Sequence, residues 1–378
     1  MIDLIIIGGG AAGSFLSSLL PTSHLFEKTD RLMSKLLITG GGACNLTHEC
    51  DAKTLVTMYH KKKAFVSPCL YAFTPDDIRK HFFSIGVETT VREDGKVFPS
   101  SMEARSIADA ICRNMNNVHL SEAVTDIERK DGYFAVTTVK GKYNAKHVCV
   151  ATGGASYPAT GSDGSFFPIL KKLGHRIIPL RPALSALITD IDTSLIQGIT
   201  VENVMLTHKK KKYTGSVLFT RRGISGPMVM DLSHDITPGD GITLSFTCIT
   251  PEEIKSCNGK KETLNAVHEL TALPKALLSV LLPQGEKKVA CLAKKDLQEI
   301  ITAITALRLT VRPDELKYAT VTSGGVDTSE LDSKTFESKI CKDLYIIGEC
   351  TDVDGKCGGY NLTYAFASAH AVYLSLSK

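Results

Sequence analysis

The fold is decided by residues 4–13, which read LIIIGGGAAG. The first four are apolar, three of them are β-branched, and the run stops at glycine, which is typical of a buried parallel strand. A short helix is predicted at residues 11–20, and Pro21 must end it. Residues 24–27 then predict a second strand. The chain therefore opens with a β-α-β unit.

The glycines of this unit have the spacing Gly8-x-Gly10-x-x-Gly13 between a predicted strand and a predicted helix. In that context the first glycine makes a tight turn, the second lets a pyrophosphate approach the backbone, and the third allows close packing of the helix on the sheet. Glu27 follows Gly8 by about 20 residues, the spacing of a carboxylate that binds an adenosine ribose. An acid there disfavours the 2′-phosphate of NADP, so the predicted nucleotide is FAD or NAD.

Three further glycine-rich segments follow, at 35–45, 151–164 and 348–361. All four loops are expected at the carboxyl ends of predicted strands, where a long two-part cofactor would lie over one sheet, and FAD fits this better than NAD. Asp354 can bind ribityl hydroxyls, and the helix start beyond Gly358 can face negative charge on the flavin. The predicted FAD-binding residues are Gly8, Gly10, Ala11, Ala12, Gly13, Glu27, Lys28, Lys35, Thr39, Gly40, Gly41, Gly42, Cys44, Asn45, Val124, Ala151, Thr152, Gly153, Gly348, Glu349, Asp354, Gly358, Gly359, Tyr360 and Asn361. No catalytic residue and no metal site is predicted.

The pattern of the chain changes between Pro182 and about Val321, which indicates an insertion. Its predicted elements are strands at 201–208, 213–220 and 242–247 and helices around 261–282 and 294–306. No second Gly-x-Gly-x-x-Gly occurs in it, so a separate domain for NADPH is not expected.

These motifs resemble those of the aminoacetone oxidase-like family of FAD-binding proteins, over nearly the whole chain. The matching segments are the first glycine motif, 35–45, 97–100, 151–164, 218–220, 223–227 and 323–361. The resemblance implies an α/β fold, in which a Rossmann-like FAD-binding domain of the two-dinucleotide-binding type is interrupted by a β-barrel domain with a small helical insert. The boundaries expected on this basis are 1–185 and 319–378 for the FAD-binding domain, 186–255 and 305–318 for the β-barrel, and 256–304 for the helical insert.

Members of the family are NAD(P)/FAD-dependent oxidoreductases, with a bile-acid 3-dehydro-steroid reductase among the relatives, so the resemblance implies an FAD-dependent oxidoreductase. Hydride would pass between flavin N5 and a small amine or an unsaturated carbonyl or steroid-like substrate. Two alternatives stay open: an NAD(P)H-dependent ene-type reductase, and a flavin-binding, RNA-associated module without turnover of its own. NAD(P)H, if used, would be a transient reductant on the open flavin face.

Composition bears on partners and location. Lysine and arginine number 44 against 40 acids, a net charge of +4, so nucleic acid is not an expected partner and a small-molecule substrate is. The lysine runs at 61–63 and 209–212 are interpreted as solvated loop or hairpin tips, with a phosphate or anionic-polymer patch as the alternative. No run approaches the ~18 apolar residues of a membrane span, and Asp3 stands where a signal peptide has a base, so a cytoplasmic location without membrane contact is expected. The oligomeric state is left open.

The cysteines number eleven and form no Cys-x-x-Cys pair, so they are expected to be reduced and mostly buried. Cys44 lies in a loop predicted to face the flavin. The sequence leaves open whether this thiol packs or takes a direct part.

Overall fold

The computed structural model describes residues 1–60 and 62–377; Lys61, part of the first lysine run, lies outside them. The strands are β1 (Ile2–Ile7), β2 (His24–Phe26), β3 (Thr47–His48), β4 (Thr89–Val91), β5 (Lys96–Pro99), β6 (Asn117–His119), β7 (Val124–Lys130), β8 (Tyr133–Thr138), β9 (Lys142–Val150), β10 (Ile177–Ala183), β11 (Leu187–Ile188), β12 (Thr200–His208), β13 (Lys211–Thr220), β14 (Gly223–Ser225), β15 (Gly241–Ser245), β16 (Leu307–Thr310), β17 (Val321–Val326) and β18 (Leu344–Ile346). The helices are α1 (Ala11–Leu19), α2 (Ser34–Leu37), α3 (Ala52–Val56), α4 (Lys63–Ala72), α5 (Pro75–Ser84), α6 (Ala104–Cys112), α7 (Phe167–Lys172), α8 (Pro227–Leu232), α9 (Pro251–Ser256), α10 (Thr263–Thr271), α11 (Lys275–Leu281), α12 (Lys294–Thr305) and α13 (Tyr360–Leu376).

The main sheet is built around β1. Strands β6, β2, β1 and β9 are parallel neighbours in that order, and β18 is parallel to the second half of β9. Strands β8 and β7 add an antiparallel ribbon to the first half of β9. The predicted β-α-β unit and the Rossmann-type parallel sheet are therefore confirmed.

The two faces of this sheet bury different cores because side chains of a strand alternate between its faces. Leu4 and Ile6 of β1 join a core that includes helices α1, α5, α6 and α13. Ile5 and Ile7 join a second core on the opposite face, with β8 and α7. Helices α1 and α13 pack directly, and the rings of Phe15 and Phe366 lie 4.9 Å apart between their centroids.

The chain divides into two compact units. The first comprises Met1–Pro182 and the residues from Leu316 onward, and the second is Ala183–Glu315. The sequence boundaries at 185/186 and 318/319 lie close to these divisions, and the helices of the insert begin at Pro251 rather than at 256.

The second unit is a closed barrel. Its strands run in the order β11-β14-β13-β12-β15-β16, and a bridge between Thr189 and Val311 joins the two edge strands. Helices α9 to α12 pack their apolar faces into the same core. The predicted helix at 261–282 is two helices, because Ala272 adopts the left-handed conformation (φ 58°) and Pro274 follows. The predicted barrel with a helical insert is confirmed.

The structure also bears on three expectations from the sequence, which concern the first lysine run, the cysteines and membrane-spanning helices. Lys62 is not a solvated loop tip, because its ammonium pairs with the carboxylate of Asp352 at 2.5 Å, and Lys63 begins α4. All eleven cysteines are free thiols. In the part of the chain that the structure describes, no helix combines the length and apolar character needed to cross a bilayer.

Candidate functional site

Three of the predicted glycine loops meet at one edge of the main sheet. Ile7 pairs in register with Phe26 and with Val150, and Ile346 pairs with Val150 on the other side. The first loop (8–13), the third loop (151–164) and the fourth loop (348–361) therefore leave the sheet side by side, next to Glu27. The second loop (35–45) begins inside α2, so the prediction that all four loops follow strands is wrong for this one.

The first loop is crowded at its ends and open in its middle. A methyl group added to Gly13 would lie 2.0 Å from the carbonyl oxygen of Gly8, and one added to Gly8 would lie 2.6 Å from the carbonyl oxygen of Ala151. One added to Gly10 would meet nothing within 4 Å. Helix α1 starts at Ala11 without a side-chain cap, so its first amides, including that of Ala12, are available to an anion. This open cradle fits a pyrophosphate.

Glu27 closes the first loop from the side of β2. Its Oε2 accepts the amide of Gly9 at 2.7 Å, and its Oε1 accepts the amide and the hydroxyl of Thr29 at 2.8 and 2.9 Å. A carboxylate offers about four acceptor positions, so one remains for a further donor. The side chain is buried. Such a carboxylate fits a ribose hydroxyl.

The third loop folds back over this corner. Lys28 donates to Asp163 at 2.6 Å. Burial alone would raise the pKa of Asp163, but the hydrogen bonds from Lys28 and Ser165 lower it to about 2. Between these groups the hydroxyl of Ser162 is buried and has no hydrogen-bond partner among the described residues. Gly153 adopts φ 73°, and a methyl group added there would lie 3.2 Å from the hydroxyl of Ser162. The orphaned hydroxyl is a further polar group that a ligand could satisfy.

The remaining predicted residues of this corner have ordinary local partners. Val124 opens β7, two residues after Glu122, whose amide donates to the carbonyl of Glu27 at 2.9 Å. The amide of Ala151 donates to the carbonyl of Ile7, and the hydroxyl of Thr152 lies 3.6 Å from the thiol of Cys350. Val124, Ala151 and Thr152 therefore contribute backbone and uncharged side chains, rather than charged groups, to the edge of the site.

The second loop is a left-handed turn of three glycines. Gly40, Gly41 and Gly42 have φ of 57°, 67° and 92°, and a methyl group on Gly41 would meet nothing within 4 Å. The hydroxyl of Thr39 donates to the carbonyl of Leu36 at 2.7 Å. The open backbone surface fits a flat ligand.

Cys44, at the end of this turn, is a packing residue in this structure. Its side chain is fully buried, and burial raises the pKa of the thiol to about 12 despite a hydrogen bond with Thr39. Because only the thiolate is a nucleophile, this cysteine is unreactive at neutral pH. Of the two roles that the sequence left open, the structure favours packing.

Asn45 connects the second loop to the fourth. With its amide oriented to suit its neighbours, Nδ2 donates to the carbonyl of Thr47 at 3.0 Å and Oδ1 accepts from the amide of Gly359 at 3.1 Å. Gly359 has φ 89°, and a methyl group there would lie 2.9 Å from the Asn45 side chain. The amide of Gly359 thus has a protein partner, which the sequence did not indicate.

Internal contacts shape the rest of the fourth loop. Asn361 uses both ends of its amide on the backbone of Gly355, at 2.9 and 3.0 Å. Asp354 is buried, and Gly358 has φ 138°. Helix α13 then begins at Tyr360 without a side-chain cap. The start of this helix, like that of α1, is open to negative charge on a ligand.

A partly buried polar network joins three of the loops. Lys35 donates to Glu349 at 2.8 Å and to Ser156 at 2.8 Å, and the hydroxyl of Ser156 donates to Glu349 at 3.1 Å. The amide of Thr322 also donates to Glu349, at 2.8 Å. Gly348, before Glu349, donates its amide to a serine of α13. Lys35 is among the predicted FAD-binding residues, but its charge is matched by Glu349, and its contact with FAD stays a prediction.

Comparisons with known proteins agree with this geometry. The family model described as the HI0933-like protein Rossmann domain matches residues 2–373. A ribosomal RNA dihydrouridine synthase of Haemophilus influenzae is 30% identical over 99% of this chain and 98% of its own length. A 3-dehydro-bile acid delta(4,6)-reductase of Clostridium scindens is 28% identical over 97% of this chain and 96% of its own. The solved 3-ketosteroid delta1-dehydrogenase of Sterolibacterium denitrificans shares the fold, with a TM-score of 0.52 at 10% identity over 99% of both chains.

The fold and these matches define a flavoprotein oxidoreductase with a Rossmann domain for FAD. The chain belongs to the HI0933-like family and is an FAD-dependent oxidoreductase. The resemblance seen in the sequence is confirmed by the family match and by the bile-acid reductase among the relatives.

Proposed function

We propose that this enzyme reduces a carbon–carbon double bond conjugated to a carbonyl group, and that its substrate is a uracil base of RNA. The observation that carries the proposal is the full-length similarity to two enzymes whose names describe one kind of bond change. Dihydrouridine is uridine with its C5=C6 bond saturated, and that bond is conjugated to the C4 carbonyl. The bile-acid relative is named for double bonds at positions 4 and 6, which are conjugated to a 3-keto group.

In this proposal the chain holds FAD along the loop edge of the main sheet. The amides of Ala11 and Ala12 bind the pyrophosphate, since the space over Gly10 is open. Glu27 binds the adenosine ribose with its remaining acceptor position. The open turn at Gly41 would lie against the flavin ring. When bound, FAD would supply the hydride that adds to the alkene carbon β to the carbonyl, and a proton would add to the α carbon.

NAD(P)H is proposed as the reductant that recharges the flavin. No second glycine motif of the dinucleotide-binding type occurs in residues 183–315 of the sequence. The nicotinamide would therefore use the same open face as the substrate, in alternation with it.

A steroid enone is the second candidate substrate. The full-length similarity to the bile-acid reductase favours it. The small net charge of +4 gave no expectation of nucleic acid, so the choice of RNA rests on the greater identity to the ribosomal RNA enzyme.

The test is an anaerobic screen of the purified, FAD-loaded enzyme. The flavin is first bleached with NADPH or NADH, and then mixed with a ribosomal RNA transcript, free uridine or a 4,6-dien-3-one steroid. In a separate arm the oxidised enzyme is mixed with a primary amine. We expect the RNA transcript to restore the oxidised flavin spectrum and to gain two hydrogens at a uridine by mass spectrometry. Restoration by the steroid alone would overturn the RNA assignment and keep the reaction class. Bleaching of oxidised flavin by the amine, without reoxidation by either enone, would overturn the reaction class.

A further inference from the structure

The hairpin between β12 and β13 carries a turn that its sequence does not favour. His208 pairs with Lys211, so Lys209 and Lys210 form a two-residue turn. Both have positive φ, 45° and 69°. Asn-Gly and similar pairs are preferred there because side chains other than glycine, asparagine and aspartate are strained at positive φ. The chain thus keeps two lysines where they lower its stability, and such strain is commonly found at functional sites.

The charge at this tip is only partly neutralised. Lys209 lies 3.1 Å from Asp240, which also pairs with His208. Lys210, Lys211 and Lys212 are exposed, and within the described residues no ion pair links any of them to a carboxylate. Three consecutive exposed lysines without a carboxylate partner among the described residues give the hairpin tip a positive potential that attracts anions.

The strand register extends this charge across the outer face of the barrel. Thr207 of β12 pairs with Lys212 on one side and with Thr243 on the other, and Thr243 pairs with Arg308 of β16. Directly paired residues point to the same face. That face is the outer one, because the flanking residues Leu206, Leu244 and Leu309 are buried.

The next pairs on this face continue the same chemistry. Met205 pairs with Thr214 and with Ser245, so two more hydroxyl groups lie beside the row. Lys212 and Arg308 are three strand spacings apart, about 14 Å. We name this row, Lys212–Thr207–Thr243–Arg308, the barrel stripe, and include in it two exposed lysines of the hairpin tip, Lys210 in the turn and Lys211 at the start of β13. It contains cations and hydroxyls and no carboxylate.

We infer that the barrel stripe is a docking surface for the phosphodiester backbone of RNA. Lysine, arginine and threonine side chains are the usual donors to phosphate oxygens, and they position a nucleic acid without reading its sequence. The inference rests on the proposed function, because an RNA substrate carries a repeating charge that a row of this length can match. A bile acid has a single anionic group and needs no such row.

The test compares two triple variants of the FAD-loaded enzyme. The first is Lys210→Gln/Lys211→Gln/Lys212→Gln. The matched control, Lys255→Gln/Lys275→Gln/Lys294→Gln, removes the same charge from exposed lysines on the helical part of the same unit. Binding of a ribosomal RNA fragment is measured over a range of salt. We expect the first variant to bind at least tenfold more weakly at low salt and to lower the slope of log K against log salt by about 2, since each lost phosphate contact changes it by about 0.7–0.9. The control should match the wild type.

Equal losses in both variants, or none in the first, would overturn the inference. So would an unchanged affinity of the first variant for RNA together with lost binding to vesicles of anionic phospholipid. Turnover of the NADPH-reduced enzyme with RNA and with the steroid separates this inference from the proposed function. A wild-type enzyme that binds the RNA fragment through the stripe but reduces only the steroid would sink the proposed substrate and keep the docking surface. If the wild type and the first variant convert RNA equally well, the proposed substrate is kept and the docking surface is overturned.

A turn variant gives a second readout that a structural role would not produce. Lys209→Asn/Lys210→Gly installs the residues that the turn geometry favours. We expect its thermal midpoint to rise because the strain at positive φ is relieved, and its RNA affinity to fall several-fold because Lys210 of the barrel stripe is lost. A rise in stability with full RNA affinity would exclude the turn from the docking surface, and a fall in stability would show that the turn is not strained.

Discussion

In the first glycine loop a methyl group on Gly13 would lie 2.0 Å from the backbone of Gly8, whereas in the second loop a methyl group on Gly41 would meet no atom within 4 Å. Gly41 is glycine because its φ is 67°, and Gly13 is glycine because helix α1 packs against the strand end. Gly10 belongs to a third case, with ordinary φ and open space around it. Crowding, conformation and access for a ligand are thus separate reasons for glycine, and substitutions can tell them apart.

The largest effect is expected where crowding decides. Gly13→Ala forces backbone apart at the centre of the first unit, so we expect the free energy of unfolding of the apoprotein to fall by about 3 kcal/mol, the upper end for overpacking. Denaturant titration measures it. Gly10→Ala is the matched control in the same loop, and its apoprotein should keep wild-type stability while binding FAD more weakly. Equal stability losses in the two variants would show that the loop does not discriminate between crowded and open positions.

The next effect concerns the carboxylate that serves the first loop. Glu27→Ala removes the proposed ribose acceptor together with the acceptor for the Gly9 amide. We expect FAD to bind about 1.5–3 kcal/mol more weakly, the range for hydrogen bonds to a charged group. Fluorescence titration of the apoprotein with FAD measures this affinity. The control Glu128→Ala removes an exposed carboxylate of β7 and should leave the affinity for FAD unchanged.

Loss of the loop shape must be separated from loss of the ribose contact. Glu27→Gln keeps one acceptor oxygen and nearly the same volume, so it should bind FAD with intermediate affinity. Wild-type affinity in both Glu27 variants would show that this carboxylate does not bind the ribose and serves only Gly9 and Thr29.

Local patterns in the sequence predicted the elements that glycine and proline delimit. The strand–helix–strand start is correct to within two residues, because an apolar run, a glycine turn and Pro21 leave few alternatives. Helix α4 was not predicted, since Pro68 lies inside it and proline normally ends a helix. The small sheet of β3, β5 and β4 was also missed, because its strands are only two to four residues long.

The site was predictable as far as backbone dictates it. The first, third and fourth loops follow parallel strands, and parallel strand ends meet at one edge. The network around Glu349 was not predictable, because the fold brings its partners Lys35, Ser156 and Thr322 together. Lys35, for example, is separated from Glu349 by 314 residues. A single sequence carries no signal for such pairs, and the burial of Cys44 depends on the same long-range packing.

The smallest expected effect tests whether the second loop is shaped for a ligand. Gly41 and Gly132 both have positive φ, 67° and 82°, and both have open space where a side chain would start. Gly132 turns the hairpin between β7 and β8, where its neighbours Lys130 and Tyr133 pair. Alanine at either position should therefore lower the free energy of unfolding by the same amount, about 1–2 kcal/mol for a left-handed alanine. Only Gly41→Ala places a methyl group against the proposed flavin ring, so it alone should weaken FAD, about tenfold or ~1.4 kcal/mol. Denaturant titration of the two apoproteins and FAD titration of each give the four values needed. If both variants bind FAD like the wild type, Gly41 is glycine for its backbone conformation alone, and the flavin does not lie on the second loop.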